Sequence, residues 1–230
     1  MKNYLEKMRE YSWLASWAIW ESENGEHFLK EADLKEDIDF SEYKNKLNPS
    51  NFVILGLNPG KLPNIETGVI YPRSRIDNFD VRPWSNFHNV GRSRDYLLAE
   101  AVMGTVLEGS YMTDLFPIYT SNSGEDIKKF IAKSDNKEAL KKSIIEFDFE
   151  MDALFHNYET VRLICIGNDA YYYANEYLIE NSLNLKLNKS YETYKFYHYS
   201  GMNRKVSSKV EKDNYYPKLF KQTINEYGLD

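Results

Sequence analysis

The stretch Asn51-Phe52-Val53-Ile54-Leu55-Gly56-Leu57-Asn58-Pro59-Gly60 sets the expected architecture. Phe52–Leu57 is apolar at nearly every position and partly β-branched. A strand facing solvent on one side would alternate apolar with polar. A continuous run fits a strand buried on both faces, as in a parallel sheet covered by helices. Asn-Pro-Gly ends it, because proline fixes φ and cannot extend the ladder, while glycine admits a tight turn.

Working outward, Ser110–Leu115, Val161–Ile166 and Thr193–Tyr197 read as three further strands. Arg94–Leu107, Glu138–Phe155 and Asp169–Asn181 read as helices, as does most of the chain after the fourth strand up to Tyr227. Pro217 is a break or kink in the last of these, and Ser123-Gly124-Glu125-Asp126 is a helix start. Strands alternating with helices predict an α/β fold. The expected form is a three-layer α/β/α sandwich around a parallel, roughly four-stranded sheet with right-handed crossovers. Residues 1–45 are expected to be a helical extension packed on a core of residues 46–230. Trp13, Trp17 and Trp20, three to four apart, lie on one face of that expected helix and dock it. Residues 58–92 lack periodicity, and so long a loop in a compact domain is usually functional.

Composition narrows the function classes. Of 230 residues, 42% are hydrophobic and 28% charged, ordinary for a globular protein. No window reaches the ~18 consecutive apolar residues of a membrane span, and the first residues lack an apolar signal core. A cytoplasmic address is expected. One cysteine excludes a disulfide framework, a multi-cysteine zinc site and a cysteine-held iron–sulfur cluster. The net charge of −6 argues against a generic nucleic-acid coat. Locally the sign reverses: Arg73, Arg75, Arg82, Arg92 and Arg94 face only Asp77 and Asp80 between positions 73 and 94. That segment is either a solvated loop or a positive field for a polyanion.

In a parallel α/β sheet the ligand site lies beyond the carboxyl ends of the strands. There the sequence puts Gly56, Leu57, Asn58, Pro59 and Gly60 after the first strand and Asp114 at the end of the second. The fourth is followed by His198-Tyr199-Ser200-Gly201-Met202-Asn203-Arg204-Lys205. Each has a structural reading too: Asn-Pro is a common turn opener, a lone histidine is often a satisfied structural group, and Asp114 can cap the loop after it. His198 is nevertheless the one histidine of four at the end of an expected core strand. A hydroxyl, a glycine, an apolar Met202 and a cation at Arg204 suit a loop that enters a duplex and anchors on phosphate.

Together these residues resemble the uracil-DNA glycosylase superfamily, closest to its single-strand-selective monofunctional and mismatch-specific branches. Gly56-Leu57-Asn58-Pro59-Gly60 matches the first motif. Thr67-Gly68-Val69 and Tyr71 match a short spacer and aromatic. His198-Tyr199-Ser200-Gly201 matches the second motif, continued by Met202-Asn203-Arg204. Residues 164–171 are similar to the third-strand ending. The similarity spans roughly residues 50–227. Tyr199 stands where the family has proline, which removes a backbone constraint. Asp114 stands where the single-strand-selective branch has asparagine. An ionised aspartate only accepts hydrogen bonds, whereas burial that protonates it restores a donor.

The resemblance implies a monofunctional DNA glycosylase acting on uracil or another deaminated base by base flipping. Asn58 would position water and His198 would stabilise the leaving base. Tyr71 and Asp114 would contact the base, and residues 200–205 the DNA. It implies no metal or other cofactor, no covalent lysine intermediate, and a monomer with damaged DNA as partner. Asn58 is a weak base, so turnover is expected to be slow. The alternative is a non-catalytic nucleic-acid or nucleotide-binding relative on the same fold.

Overall fold

The computed structural model describes residues 4–23, 34–35, 38–47, 50–59, 71–75, 82–88, 94–116, 124–200 and 209–230. Its strands are β1 (Ser16–Trp17), β2 (Phe52–Gly56), β3 (Tyr111–Asp114), β4 (Thr160–Ile166) and β5 (Ser190–Phe196). Its helices are α1 (Tyr4–Lys7), α2 (Asp95–Val102), α3 (Gly124–Ile131), α4 (Lys137–Leu154), α5 (Asn168–Ala174) and α6 (Lys209–Tyr227). The sheet order is β1-β3-β2-β4-β5, with β2, β3, β4 and β5 parallel and β1 antiparallel on the edge. The expected α/β class and four parallel strands are present, with one additional strand.

Alternation along the strands sorts the core into two layers. Val53, Leu55, Tyr111, Leu163 and Cys165 face one side, packed with Ile144, Phe147 and Met151 of α4 and Ala170 and Ala174 of α5. Phe52, Ile54, Met112, Ile164 and Phe196 face the other, against Leu97, Leu98 and Val102 of α2 and Phe220 and Ile224 of α6. All five residues of β2 are buried, as a central strand covered on both faces must be. Burial of a Val, Leu or Ile side chain stabilises by about 1.5–3 kcal/mol, so this strand anchors both layers. Leu140, Ile144, Phe147, Met151 and Leu154, spaced by four and three, form the buried stripe of α4.

Three local expectations change. The helix expected over residues 2–20 is confined to Tyr4–Lys7 and a 3-10 turn at Arg9–Tyr11. The chain then extends into β1, where Ser16 pairs with Met112 and Trp17 with Tyr111. The open edge of β3 offers backbone partners that outweigh the weak helical spacing, and Trp13 is buried from the turn before β1 and Trp17 from β1 itself. The α5 helix ends at Ala174 and widens into a π turn over Asn175–Ile179. There the Asn175 amide donates to the Tyr171 carbonyl, at 2.8 Å, and accepts from the Thr193 hydroxyl, at 3.1 Å. Pro217 lies inside a helix that runs on to Tyr227 without ending. No helix among the described residues is long and apolar enough to cross a membrane.

Candidate functional site

The chain leaves β2 for β3 on one side, then crosses to β4 on the other, so β2 is where strand order reverses. The crevice for a ligand opens at the carboxyl ends around such a switch point. Thr113, Leu55, Cys165 and Lys195 form one transverse row across β3, β2, β4 and β5. Asn58 follows the end of β2 and His198 the end of β5 by two residues each, and the strands are parallel, so both residues leave the same end of the sheet. At that row the backbones of β2 and β5 lie two strand spacings apart, about 10 Å.

Asn58 is half-buried, and its amide nitrogen donates to the Pro59 carbonyl at 3.0 Å. This directs the nitrogen toward the turn. Gly56 ends β2, Leu57 accepts from the Phe116 amide, and Pro59 is buried.

His198 is fixed by its neighbours. A β-carbon on Gly167 (φ +102°) would lie 3.3 Å from His198 Cβ and 3.5 Å from Cδ2. A glycine there both accepts the left-handed backbone and lets the imidazole lie close. The Ser200 backbone amide donates to Nδ1 at 3.1 Å, and the Ser200 hydroxyl stands 2.7 Å from the same atom. A backbone N–H can only donate, so Nδ1 is unprotonated and the neutral ring carries its hydrogen on Nε2. The ring keeps part of its surface open to solvent. Burial still lowers its pKa below the ordinary 6.5. At pH 7 it is a neutral Nε2–H donor.

Asp114 ends β3 and is buried. Oδ2 accepts from Asn86 Nδ2 at 2.8 Å, and the carboxylate leans over Gly56. Burial pushes its pKa up to about 7, opposed by the Asn86 hydrogen bond and the charge of Arg73. The raised pKa brings the acid form, which donates as well as accepts, toward neutral pH. The same Asn86 amide donates to the Leu14 carbonyl, at 2.6 Å, and Phe87 Cζ lies 3.1 Å from where a Gly56 β-carbon would be.

Asn86 and Phe87 are the residues the motif reading misses. They reach the ends of β2 and β3 because the N-terminal segment holds their loop. Trp84 N donates to the Ser12 carbonyl, at 2.6 Å, and Ser16 Oγ donates to the Trp84 carbonyl, at 2.9 Å. The Trp20 indole donates to the Phe87 carbonyl, at 3.1 Å. These bonds span more than 60 residues, so no local pattern announces them.

Tyr71 is half-buried, edge-on to Trp13 with centroids 6.4 Å apart, and Arg75 lies over its ring at 5.7 Å. The aromatic ring beside Gly56 is Phe87. Arg73 is also not where a phosphate field needs it. It is fully buried and ion-paired with Glu150, 2.6 Å away. Its five N–H groups go to Glu150 (twice), Thr113 and the carbonyls of Asp114 and Leu115. It braces the end of β3 rather than meeting a polyanion. Ser200 is exposed beside His198. Gly60, Gly201, Met202, Asn203, Arg204, Lys205, the Thr67–Val69 spacer and Arg92 lie outside the described residues. Among the described residues, no group of three His, Cys, Asp or Glu side chains is placed to hold a metal ion.

No family model, no curated protein and no solved structure matches this chain.

Proposed function

We propose that this protein is a monofunctional DNA glycosylase that hydrolyses the N-glycosidic bond of uracil or another deaminated base, on a uracil-DNA glycosylase-like sandwich. The observation that carries this is the Nε2–H tautomer of His198, fixed by the Ser200 amide just beyond β5, with Asn58 in the turn after β2 at the same end of the parallel sheet.

The target nucleotide leaves the stack, at a cost of a few kcal/mol. Phe87 beside Gly56 offers the base a face to stack on. As the C1′–N bond breaks, its electron pair departs with the base. His198 Nε2–H donates to the base oxygen where negative charge grows, as an oxyanion hole does. Asn58 Oδ1 orients the water whose oxygen bonds to C1′; the water's proton passes to solvent. The base anion is then protonated from solvent. Asp114 in its acid form donates to a carbonyl on the base edge, the role an acceptor-only carboxylate would fail. A non-catalytic nucleotide-binding relative is the second reading. The burial of Asp114 and its bond to Asn86 favour it, since both also suit a purely structural group.

The test is incubation with oligonucleotides containing uracil, hypoxanthine or xanthine, followed by alkali. Strand cleavage that disappears in both Asn58→Ala and His198→Ala is expected. Salt-sensitive binding without abasic product would assign the second reading.

A further inference from the structure

Tyr199 occupies the position after His198, and its ring stacks on the imidazole with centroids 4.5 Å apart and planes 28° apart. Its hydroxyl donates 2.8 Å to Oδ1 of Asp95, a buried residue in the first turn of α2. Tyr216 of α6 meets the Tyr199 ring edge-on, at 6.1 Å and 78°, and donates to the Tyr197 carbonyl at 3.1 Å. Burial and the Asp95 carboxylate raise the Tyr199 hydroxyl well above its ordinary pKa, so it remains a donor at any working pH.

The Ser200 contact that selects the His198 tautomer is local. It lies two residues away in the same turn and moves with that turn. The Tyr199–Asp95 bond reaches across 104 residues to a helix packed on the sheet. It ties the turn to α2, alongside the close approach of His198 to Gly167 and the Tyr216 contacts. The constraint that proline would impose through the backbone is here imposed through a side chain.

We infer that Tyr199, held by Asp95, is a positioning residue that sets the ring plane of His198 and the direction of its Nε2–H. The catalytic consequence rests on the glycosylase reading; the positioning does not.

The full chain, labelled with ¹⁵N-histidine, tests this by two-bond ¹H–¹⁵N correlation, with the His198 signals assigned through His198→Gln. Wild type is expected to show a single Nε2–H tautomer. In Tyr199→Phe and Asp95→Ala the His198 ring ¹H and ¹⁵N signals move from their wild-type positions, because the stacked ring of residue 199 no longer meets the imidazole at a fixed angle. Asp95→Asn, whose amide oxygen still accepts from the tyrosine, is expected to restore the wild-type pattern. On uracil-containing DNA the first two variants lose about 10–100-fold in kcat with KM held, as small misplacements of a reacting group do. A His198 spectrum identical to wild type in both Tyr199→Phe and Asp95→Ala overturns the inference, whatever the activity. Shifted spectra with no abasic product from any form, wild type included, uphold the positioning and overturn the glycosylase reading. If Asp95→Ala does not fold, Tyr199→Phe, which removes one oxygen, decides alone.

Discussion

The Asp114 carboxylate fills the space that a β-carbon on residue 56 would need, so the ends of β2 and β3 close on each other only with glycine at position 56. The Phe87 ring crowds the same point from another side. Gly56→Ala therefore forces Asp114 off Asn86 or pushes Phe87 out. The expected cost is about 1–3 kcal/mol, the usual range for overpacking a full core. Urea unfolding measures it, and a midpoint equal to wild type would mean that the strand ends are not packed this tightly.

Asp114 also makes stability depend on pH. Its folded pKa, about 7, lies above the ordinary 3.8, so the folded state binds more protons between those values. Stability from this group is therefore greatest at low pH and falls as pH rises from about 4 to about 7. Asp114→Asn keeps an acceptor for Asn86 and removes the titration. Denaturant midpoints at pH 5 and pH 8 should converge in the variant relative to wild type. An unchanged difference would place the titrating group elsewhere.

The same titration governs the proposed chemistry. If the acid form of Asp114 donates to the base, excision falls as pH rises through about 7. The Asn86 hydrogen bond favours the ionised form, so Asn86→Ala moves that fall to higher pH. Single-turnover rates from pH 5.5 to 9 read both shifts, and Asp114→Asn should flatten the profile. A profile indifferent to residue 86 would remove Asp114 from base recognition.

Arg73 and Glu150 form an ion pair with no solvent contact. Removing one partner strands the other charge, which costs about 3–5 kcal/mol, while replacing both with apolar side chains is often nearly neutral. Arg73→Met should destabilise strongly, and Arg73→Met with Glu150→Leu should recover much of the loss. Recovery will be partial, because Tyr111 also donates to Glu150 and the Asp114 and Leu115 carbonyls accept from Arg73. A double-mutant cycle by thermal unfolding measures the coupling.

If His198 donates to the leaving base, as the glycosylase reading holds, His198→Ala removes that donor. A loss of roughly 10²–10³ in kcat is expected, the scale of a lost oxyanion-hole donor. Single-turnover excision of uracil gives the number, and a loss below tenfold would deny the imidazole that role.

What could be read along the chain was local in its physics. Phe52–Gly56 declares itself by unbroken apolar character, Tyr111–Asp114 and Thr160–Ile166 by short runs rich in apolar and β-branched residues, and Lys137–Leu154 by its stripe. Asn58, Asp114 and His198 follow from where such strands stop, since a parallel sheet gathers its strand ends on one side. Asn86, Phe87, the burial of Arg73 and the bond from Tyr199 to Asp95 were decided by the folded chain alone. Each depends on a partner tens of residues away. The segment at Ser16–Trp17 shows the same divide: its own spacing favours a helix, and only the unpaired edge of β3 makes it a strand. Periodicity records which face of an element is buried, but it holds no record of which distant backbone will supply the missing hydrogen bond.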